Sequence, residues 1–431
     1  MKLWDKGFDT DKRIEKFTVG NDALLDVKLA RYDITGTMAH IKMLTKVGLL
    51  EQSELDLLLP ELEVLLKKAE NGEFIIEDGI EDVHSQVEKY LTEKLGDLGK
   101  KIHTGRSRND QILVDMRLFC RDHIRITATK IVSLFKTFQE ASEKYKEVLM
   151  PGYTHLQVAM PSSFGLWLGA YAESLADDMV LLGGALKYIN RNPLGSAAGY
   201  GSSAPLDRKL TTKLLDFEDL EYNSICAQLG RGKSEKVVAQ ALAAVAETLG
   251  RFAADCCLFN SQNFGFIKLP NELTTGSSIM PHKKNPDVFE LIRAHCNRII
   301  AVPETISHII SNLPCGYFRD LQLIKEVFVP VFDEMDDCLD IANFAVGNLS
   351  VNGQLMENPL YKTAFSVEEV NRRVAAGVPF RDAYKQVGIE IMEGRFEFNG
   401  RLNHTHEGSV GNLCTKEIAA KMQAVLDEQF K

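Results

Sequence analysis

Three runs of apolar residues recur along the chain with spacings that alternate between four and three. Val238, Leu242, Val245, Leu249, Phe252, Cys256 and Phe259 make the first run, and Val288, Ile292, His295, Ile299, Val302, Ile306 and Ile309 the second. Ile324, Phe328, Val331, Met335, Leu339 and Ala342 nearly repeat the pattern. Such spacing lays one apolar stripe along each helix and predicts long helices packed near-parallel in a bundle. Pro303 and Pro330 fall inside two of these helices and are expected to kink them. Helices of this length exceed the ordinary mean of about 11–12 residues, and their stripes call for partners, so a bundle shared between subunits is expected. No internal repeat of fixed period is present, which argues against a helical solenoid.

Strand signals are sparse. The best is RFEFNGRL at 395–402, where Asn399-Gly400 predicts a short hairpin turn. Three stretches rich in Gly, Ser, Asn and Pro interrupt the helices: 99–111, 190–208 and 261–287. The last is the longest such run, and loops of that length inside compact domains usually carry function. The fold class read from this pattern is all-α.

Composition narrows the function classes. Hydrophobic residues at 45% and charged residues at 26% suit a soluble globular chain and exclude a disordered or collagen-like one. With 60 acidic against 50 basic residues the net charge is −10, which disfavours nucleic acid or an anionic membrane as partner. A local pocket can still be basic and take an anionic substrate. None of the eight cysteines forms a CxxC pair, and most sit among apolar residues, as reduced core thiols do. The opening MKLWDKGFDTDKRIEKF has no apolar leader segment. The uncharged stretch 148–172 is long enough to span a bilayer, but its two prolines, Thr154, His155 and Gln157 argue against it. A cytoplasmic location is expected.

Three constellations carry candidate chemistry. Residues 276–287 read GSSIMPHKKNPD: Gly276 frees the backbone, Ser277 and Ser278 offer hydroxyls, Lys283 a cation and Asn285 an amide, between stiffening Pro281 and Pro286. Together they predict a mobile flap able to wrap a small anion. In MPGYTHLQVAMP at 150–161, Thr154 and His155 have uncharged neighbours, which are expected to desolvate the imidazole and leave it poised for proton transfer. In HTGRSRNDQ at 103–111, Arg106 and Arg108 with Ser107 and Asn109 suggest a carboxylate clamp, against the alternative of a solvated turn before a helix. His404-Thr405-His406-Glu407 is read as an exposed linker rather than a metal site. HExxH, P-loop and post-strand GxGxxG motifs are absent, so acid–base chemistry on a small carboxylate, without metal or other cofactor, is expected.

GSSIMPHKKNP resembles the signature loop of the aspartase/fumarase superfamily, whose members are homotetrameric lyases. HTGRSRNDQ, YTHLQ and NPLGSAA narrow the resemblance to the argininosuccinate lyase family, over about Tyr32 to Gln322. The resemblance implies three helical domains, 1–104, 105–350 and 351–431, with the middle one building a shared multi-helix core and three subunits contributing to each site. It implies reversible β-elimination of argininosuccinate to fumarate and arginine, a step of arginine biosynthesis. Ser277 and His155 would be the acid–base pair; the sequence leaves open which takes and which gives the proton. Lys283 and Asn285 would hold the developing aci-carboxylate, with Ser278 beside them. Ser107, Arg108 and Asn109 match carboxylate binders, Thr154 a hydroxyl donor to the fumarate moiety, and His84 a histidine near substrate. Tyr317, Gln322 and Lys325 match residues that bind the succinyl carboxylates and the arginine end. The chain departs from the family at residues 17–22, where an asparagine-alanine-serine segment is usual, at 227–233, and at His282. None touches the elimination chemistry, and each bears on the leaving group. Adenylosuccinate, aspartate or malate as substrate, or a non-catalytic structural role on the same scaffold, are the alternatives.

Overall fold

The computed structural model describes residues 11–430; most of the opening stretch read for a leader lies outside the described residues. The chain is mainly helical, as its apolar spacing predicts. Helices α1 (Ala30–Lys46), α2 (Gln52–Glu70) and α3 (Val83–Leu95) precede five long ones: α4 (Arg108–Lys144), α5 (Phe164–Ile189), α6 (Lys233–Phe259), α7 (Asp287–Ile310) and α8 (Pro330–Asn348). The chain ends in α9 (Ser366–Ala375), α10 (Phe380–Met392) and α11 (Thr415–Gln429). Two compact units emerge. The first holds residues up to Thr127, Leu182–Ala243 and Ile299–Glu334; the second holds Ala128–Leu181, Ala244–Arg298 and the chain from Met335 on. Each of the five long helices contributes residues to both.

The apolar stripes become buried faces. On α6, Val238, Leu242, Val245 and Cys256 are fully buried. This helix is long and apolar enough to cross a membrane by composition, but its stripe is spent on the protein's own packing. On α7 the register differs from expectation by one position. Phe289, Ile292, Cys296, Ile299 and Ile306 are buried, while Val288, His295, Val302 and Ile309 are only half-buried. Phe289 wins because its ring packs edge-on against Phe252, with centroids 5.8 Å apart. Pro303 lies within α7 as expected. Pro330 does not kink a helix but starts one: a short helix, Ile324–Phe328, ends before it, and α8 begins with it, where a missing N–H costs nothing.

Each unit has its own core. In the first, Ile34, Ile41 and Leu44 of α1 pack with Leu58 and Leu62 of α2 and Val83 and Leu91 of α3, and Phe119 of α4 meets Tyr32 and Phe332 edge-on. In the second, Phe138, Trp167, Tyr171 and Phe252 cluster. The indole N–H and the phenol there both donate to Asp255 Oδ2, at 2.9 and 2.6 Å.

The strand prediction was misplaced. Residues 395–402 form no strand; Phe396 buries itself against Val370, Ala383 and Val387, and Phe398 stacks on Phe365 at 5.2 Å. An antiparallel hairpin stands instead at β1 (Leu149–Thr154) and β2 (Gln157–Ser163). Its prolines, Pro151 and Pro161, hid it by removing ladder donors; the structure sets them opposite one another.

Candidate active site

The turn into α4 builds one wall of a cavity in the first unit. Gly105 takes a left-handed φ of 72°, and a Cβ there would come within 2.9 Å of Leu206. Ser107 then caps the helix: its N–H donates to Asp110 Oδ1 at 2.8 Å, and its Oγ accepts from Asn109 N–H at 3.2 Å. The other oxygen of Asp110 accepts from Gly195 and Ala197 N–H, at 2.9 and 3.0 Å, which ties this turn to the NPLGSAA loop. Arg108 and Asn109 are thereby set on the cavity wall. Arg106 is not: its guanidinium donates to Thr37 Oγ1 and Ile102 O and is buried away from the space. The clamp of two guanidiniums read from the sequence is therefore one guanidinium and one structural arginine.

The cavity measures about 270 Å³. Of the sequence candidates, His84, Arg108, Asn109, Tyr317, Gln322 and Lys325 line it. Several are already engaged. Arg108 donates to Glu81 at 3.0 Å and Ser85 Oγ at 2.8 Å, with Asp82 at 3.2 Å. Gln322 donates its amide to Thr18 O and Val19 O. Lys325 bridges Asp22 and Asp26, at 2.8 and 2.6 Å. Burial opposes the lysine's charge, but Asp26 and Asp22 outweigh it and raise its pKa. Burial pushes Asp22 up to about 6, against the pull of Lys325. Sequence reasoning missed Asp22, Asp26, Glu81, Asp82, Arg231 and Arg319 on this wall. The one available signal was that two of them, Asp22 and Arg231, fall in the segments that depart from the family.

Behind His84 lies a buried cluster. Asp33, His84 and Asp115 bring one ligand-capable atom each within 4.8 Å of one another. His84 Nδ1 lies 2.6 Å from Asp33 Oδ1, a hydrogen-bond distance. Two ligands of one tetrahedral metal ion, each at about 2.0–2.2 Å, sit roughly 3.4 Å apart, so the arrangement fits a shared proton better than a shared ion. Burial and the facing Asp33 carboxylate push the Asp115 carboxyl well up. Burial alone would depress His84, but Asp33, Asp82 and Asp115 outweigh it and lift its pKa to about 9. An imidazole free in the unfolded chain titrates near 6.5. The pairing therefore stabilises fully below about pH 6.5 and fades as pH rises through about 9, a loss of about 3 kcal/mol. Asp33→Asn is expected to flatten that alkaline decline. Denaturant midpoints at pH 6.5 and 9.5 check it; equal declines in both proteins would remove the pairing from the account.

Ser107 itself does not line the cavity, and the hairpin and flap candidates, which lie in the second unit, do not line it either. Thr154 and His155 sit at the tip of the β1–β2 hairpin. His155 and Leu156 fill its two-residue turn with φ of 55° and 56°, a left-handed geometry normally left to Gly or Asn. Strain of this kind collects at functional sites. Both Thr154 and His155 are exposed, so the desolvation expected of His155 is not supplied within the described chain. The flap is anchored at its base by backbone bonds in both directions between Thr275 and Asn285, at 3.3 and 2.8 Å. Inside it Ser277 Oγ accepts from Ile279 and Met280 N–H, at 3.3 and 3.1 Å. Ser278 and Lys283 are exposed and Asn285 half-buried. Two N–H groups aimed at one hydroxyl oxygen favour its ionised form, which is what a serine base needs.

The lyase family model matches residues 6–301. The argininosuccinate lyase of Bacteroides thetaiotaomicron is 59% identical over 427 residues, covering 99% of this chain and 96% of that protein. That of Thermotoga neapolitana is 40% identical over 386 residues, covering 90% and 97%. Among solved structures, EDDS lyase in complex with formate matches with a TM-score of 0.76 at 23% identity, covering 98% of this chain and 91% of that one. A class II fumarase from Schistosoma mansoni matches with 0.74 at 19% identity, covering 96% and 93%. At such identities these two speak for the fold alone.

Proposed function

We infer the reaction from the premise that the chain belongs to the argininosuccinate lyases, within the lyase family. It is a carbon–nitrogen lyase that cleaves argininosuccinate reversibly to fumarate and arginine. The observation that carries this is 59% identity over nearly the whole of both chains.

In the site, Ser277 takes the proton from the carbon next to a succinyl carboxylate; the two backbone N–H groups on its Oγ support that role over acid. Lys283 and Asn285 hold the aci-carboxylate that forms, with Ser278 at the same turn. The C–N bond then breaks, and His155 delivers the proton that the guanidino nitrogen needs to leave. Thr154, Ser107, Arg108 and Asn109 receive the fumarate half, and Tyr317, Gln322, Lys325 and His84 the rest of the substrate. The exposed flap and hairpin tip are completed by other subunits of a homotetramer whose middle segment, 105–350, supplies the common bundle between 1–104 and 351–431. The enzyme works in the cytoplasm.

Ultraviolet detection of fumarate from argininosuccinate, with adenylosuccinate, aspartate and malate in parallel and chelator present, tests the reading. Release from argininosuccinate alone is expected. Release only from another of the four would overturn the leaving group and keep the elimination.

A further inference from the structure

We propose that Asp33 is a positioning residue of this site: its carboxylate, with Asp115 behind it, keeps His84 as an imidazolium whose Nε2–H serves the cavity as a cationic donor to a carboxylate of the substrate. The proposal deepens the argininosuccinate reading and rests on it. Resemblance brings His84 near the substrate without saying in which form. A neutral imidazole with its proton on Nδ1 offers the cavity a base, whereas an imidazolium offers it a donor. The two do opposite work, and the buried neighbours select between them.

His84 Nδ1 lies 2.6 Å from Asp33 Oδ1 and 3.8 Å from Asp115 Oδ2. Both carboxyls are buried, and among the described residues no other basic nitrogen comes within ion-pair distance of either. Asp33 Oδ2 and both oxygens of Asp115 have no hydrogen-bond partner. Gln111, on α4, adds only a long 3.4 Å bond to Asp33 Oδ1. Buried acids so sparsely answered are costly without a cation beside them, and the imidazolium is the one in reach. The far edge of the ring is left for substrate. Nε2 makes no hydrogen bond among the described residues and is not sealed off by packing, and His84 lines the cavity.

The charges around the ring favour the same form. Burial opposes its charge, but Asp33 from α1, Asp82 at the start of α3 and Asp115 from α4 outweigh it and hold the pKa at about 9. Asp26, which also faces Asp115, is spent on Lys325. The neighbouring cations do not compete for Asp33. Arg106 donates to Thr37 Oγ1 and Ile102 O, and Arg108 is held by Glu81, Asp82 and Ser85. His103 stays neutral, because burial, then Arg106 and His84, bring it down to about 4.

Two titrations of the full enzyme test this. Exchange of the imidazole Cε1–H for deuterium, read by peptide mass spectrometry over a pH series, titrates His84 alone. The pH dependence of kcat and KM for argininosuccinate runs beside it. In the wild type His84 is expected to titrate near 9, with KM rising through the same range. In Asp33→Asn both should move down by at least about one pH unit. At pH 8 the variant's KM should then stand about tenfold above wild type and at pH 6 within about twofold, with kcat within about threefold at both. A KM raised equally at both pH values would mark Asp33 as structural only and overturns the proposal. So does a wild-type His84 that titrates below about 7, or a titration that Asp33→Asn leaves in place. If the variant does not fold by circular dichroism, the wild type decides: a KM that stays flat while His84 titrates overturns it equally. A wild type that releases no fumarate from argininosuccinate sinks the substrate reading alone, since the exchange still titrates His84. Calorimetry of argininosuccinate binding at pH 7 and 9.5 then replaces KM, and an affinity that does not fall, or no binding at all, ends the proposal.

Discussion

Ser277→Ala is expected to lower kcat for fumarate release roughly 10³-fold to 10⁴-fold, the upper range for losing a proton-transfer group. The thermal midpoint should not move. The two halves of this expectation come from the same local geometry. The Ser277 hydroxyl accepts from the N–H groups of Ile279 and Met280, so the flap turn is shaped to hold negative charge on that oxygen. The turn carries little of the fold: Ile279 is 83% exposed, and Ser278, His282 and Lys283 are exposed as well. If Ser277 is the base as proposed, removing one oxygen there deletes it without opening a core. Fumarate release at saturating substrate and a melting curve check both halves. A residual kcat within about tenfold of wild type would show that another group takes the proton. A lowered midpoint would mean the flap matters to folding, and the rate loss would no longer report on chemistry.

The flap was legible because its residues are consecutive, so one string carries both the chemistry and the spacing. The apolar stripes were legible for the same reason, down to a one-position error on α7. There two candidate faces shared Ile292, Ile299 and Ile306, and only the pairing of Phe289 with Phe252 separates them. The hairpin that presents His155 was illegible because two prolines mimic a loop, and because its turn uses His and Leu where Asn-Gly would have announced it. The cavity wall was legible only in part. Arg108 and Lys325 stood out as cations, but what holds them does not follow from the string. Asp22 and Asp26 reach Lys325 across 299 residues or more of chain, and Glu81 meets Arg319 across 238. Arg106 and Arg108 are two residues apart on a turn, and that turn sends one inward and the other to the wall. Likewise Arg231 stood in view as a departure from the family, and its burial on that wall did not.

Glu221→Gln is expected to destabilise the protein by about 3–5 kcal/mol, through the arginine it leaves behind. Arg117, on α4, is 2% exposed; its Nη2 donates to Glu221 Oε2 at 2.7 Å, and its Nη1 donates to Ile189 O at 3.2 Å. Gly230 leaves room for this guanidinium, since a Cβ there would meet Nη2 at 3.2 Å. The pair thus joins α4, the end of α5 and the segment that leads to Arg231. Glutamine keeps the shape of Glu221 and removes its charge, so the loss measures an uncompensated buried cation rather than a cavity. In a protein of this size a shift of that order lowers the thermal midpoint by about 3–6 °C. The paired replacement Arg117→Met with Glu221→Leu discriminates further. If charge desolvation is the cause, removing both partners should recover most of the loss, because neither is then left unpaired. Single and double variants that melt alike would point instead to the hydrogen bonds that Arg117 gives to the α5 carboxyl end. A single variant that melts as wild type would show that water reaches the pair, and that the joint between α4 and the Arg231 segment is held by packing.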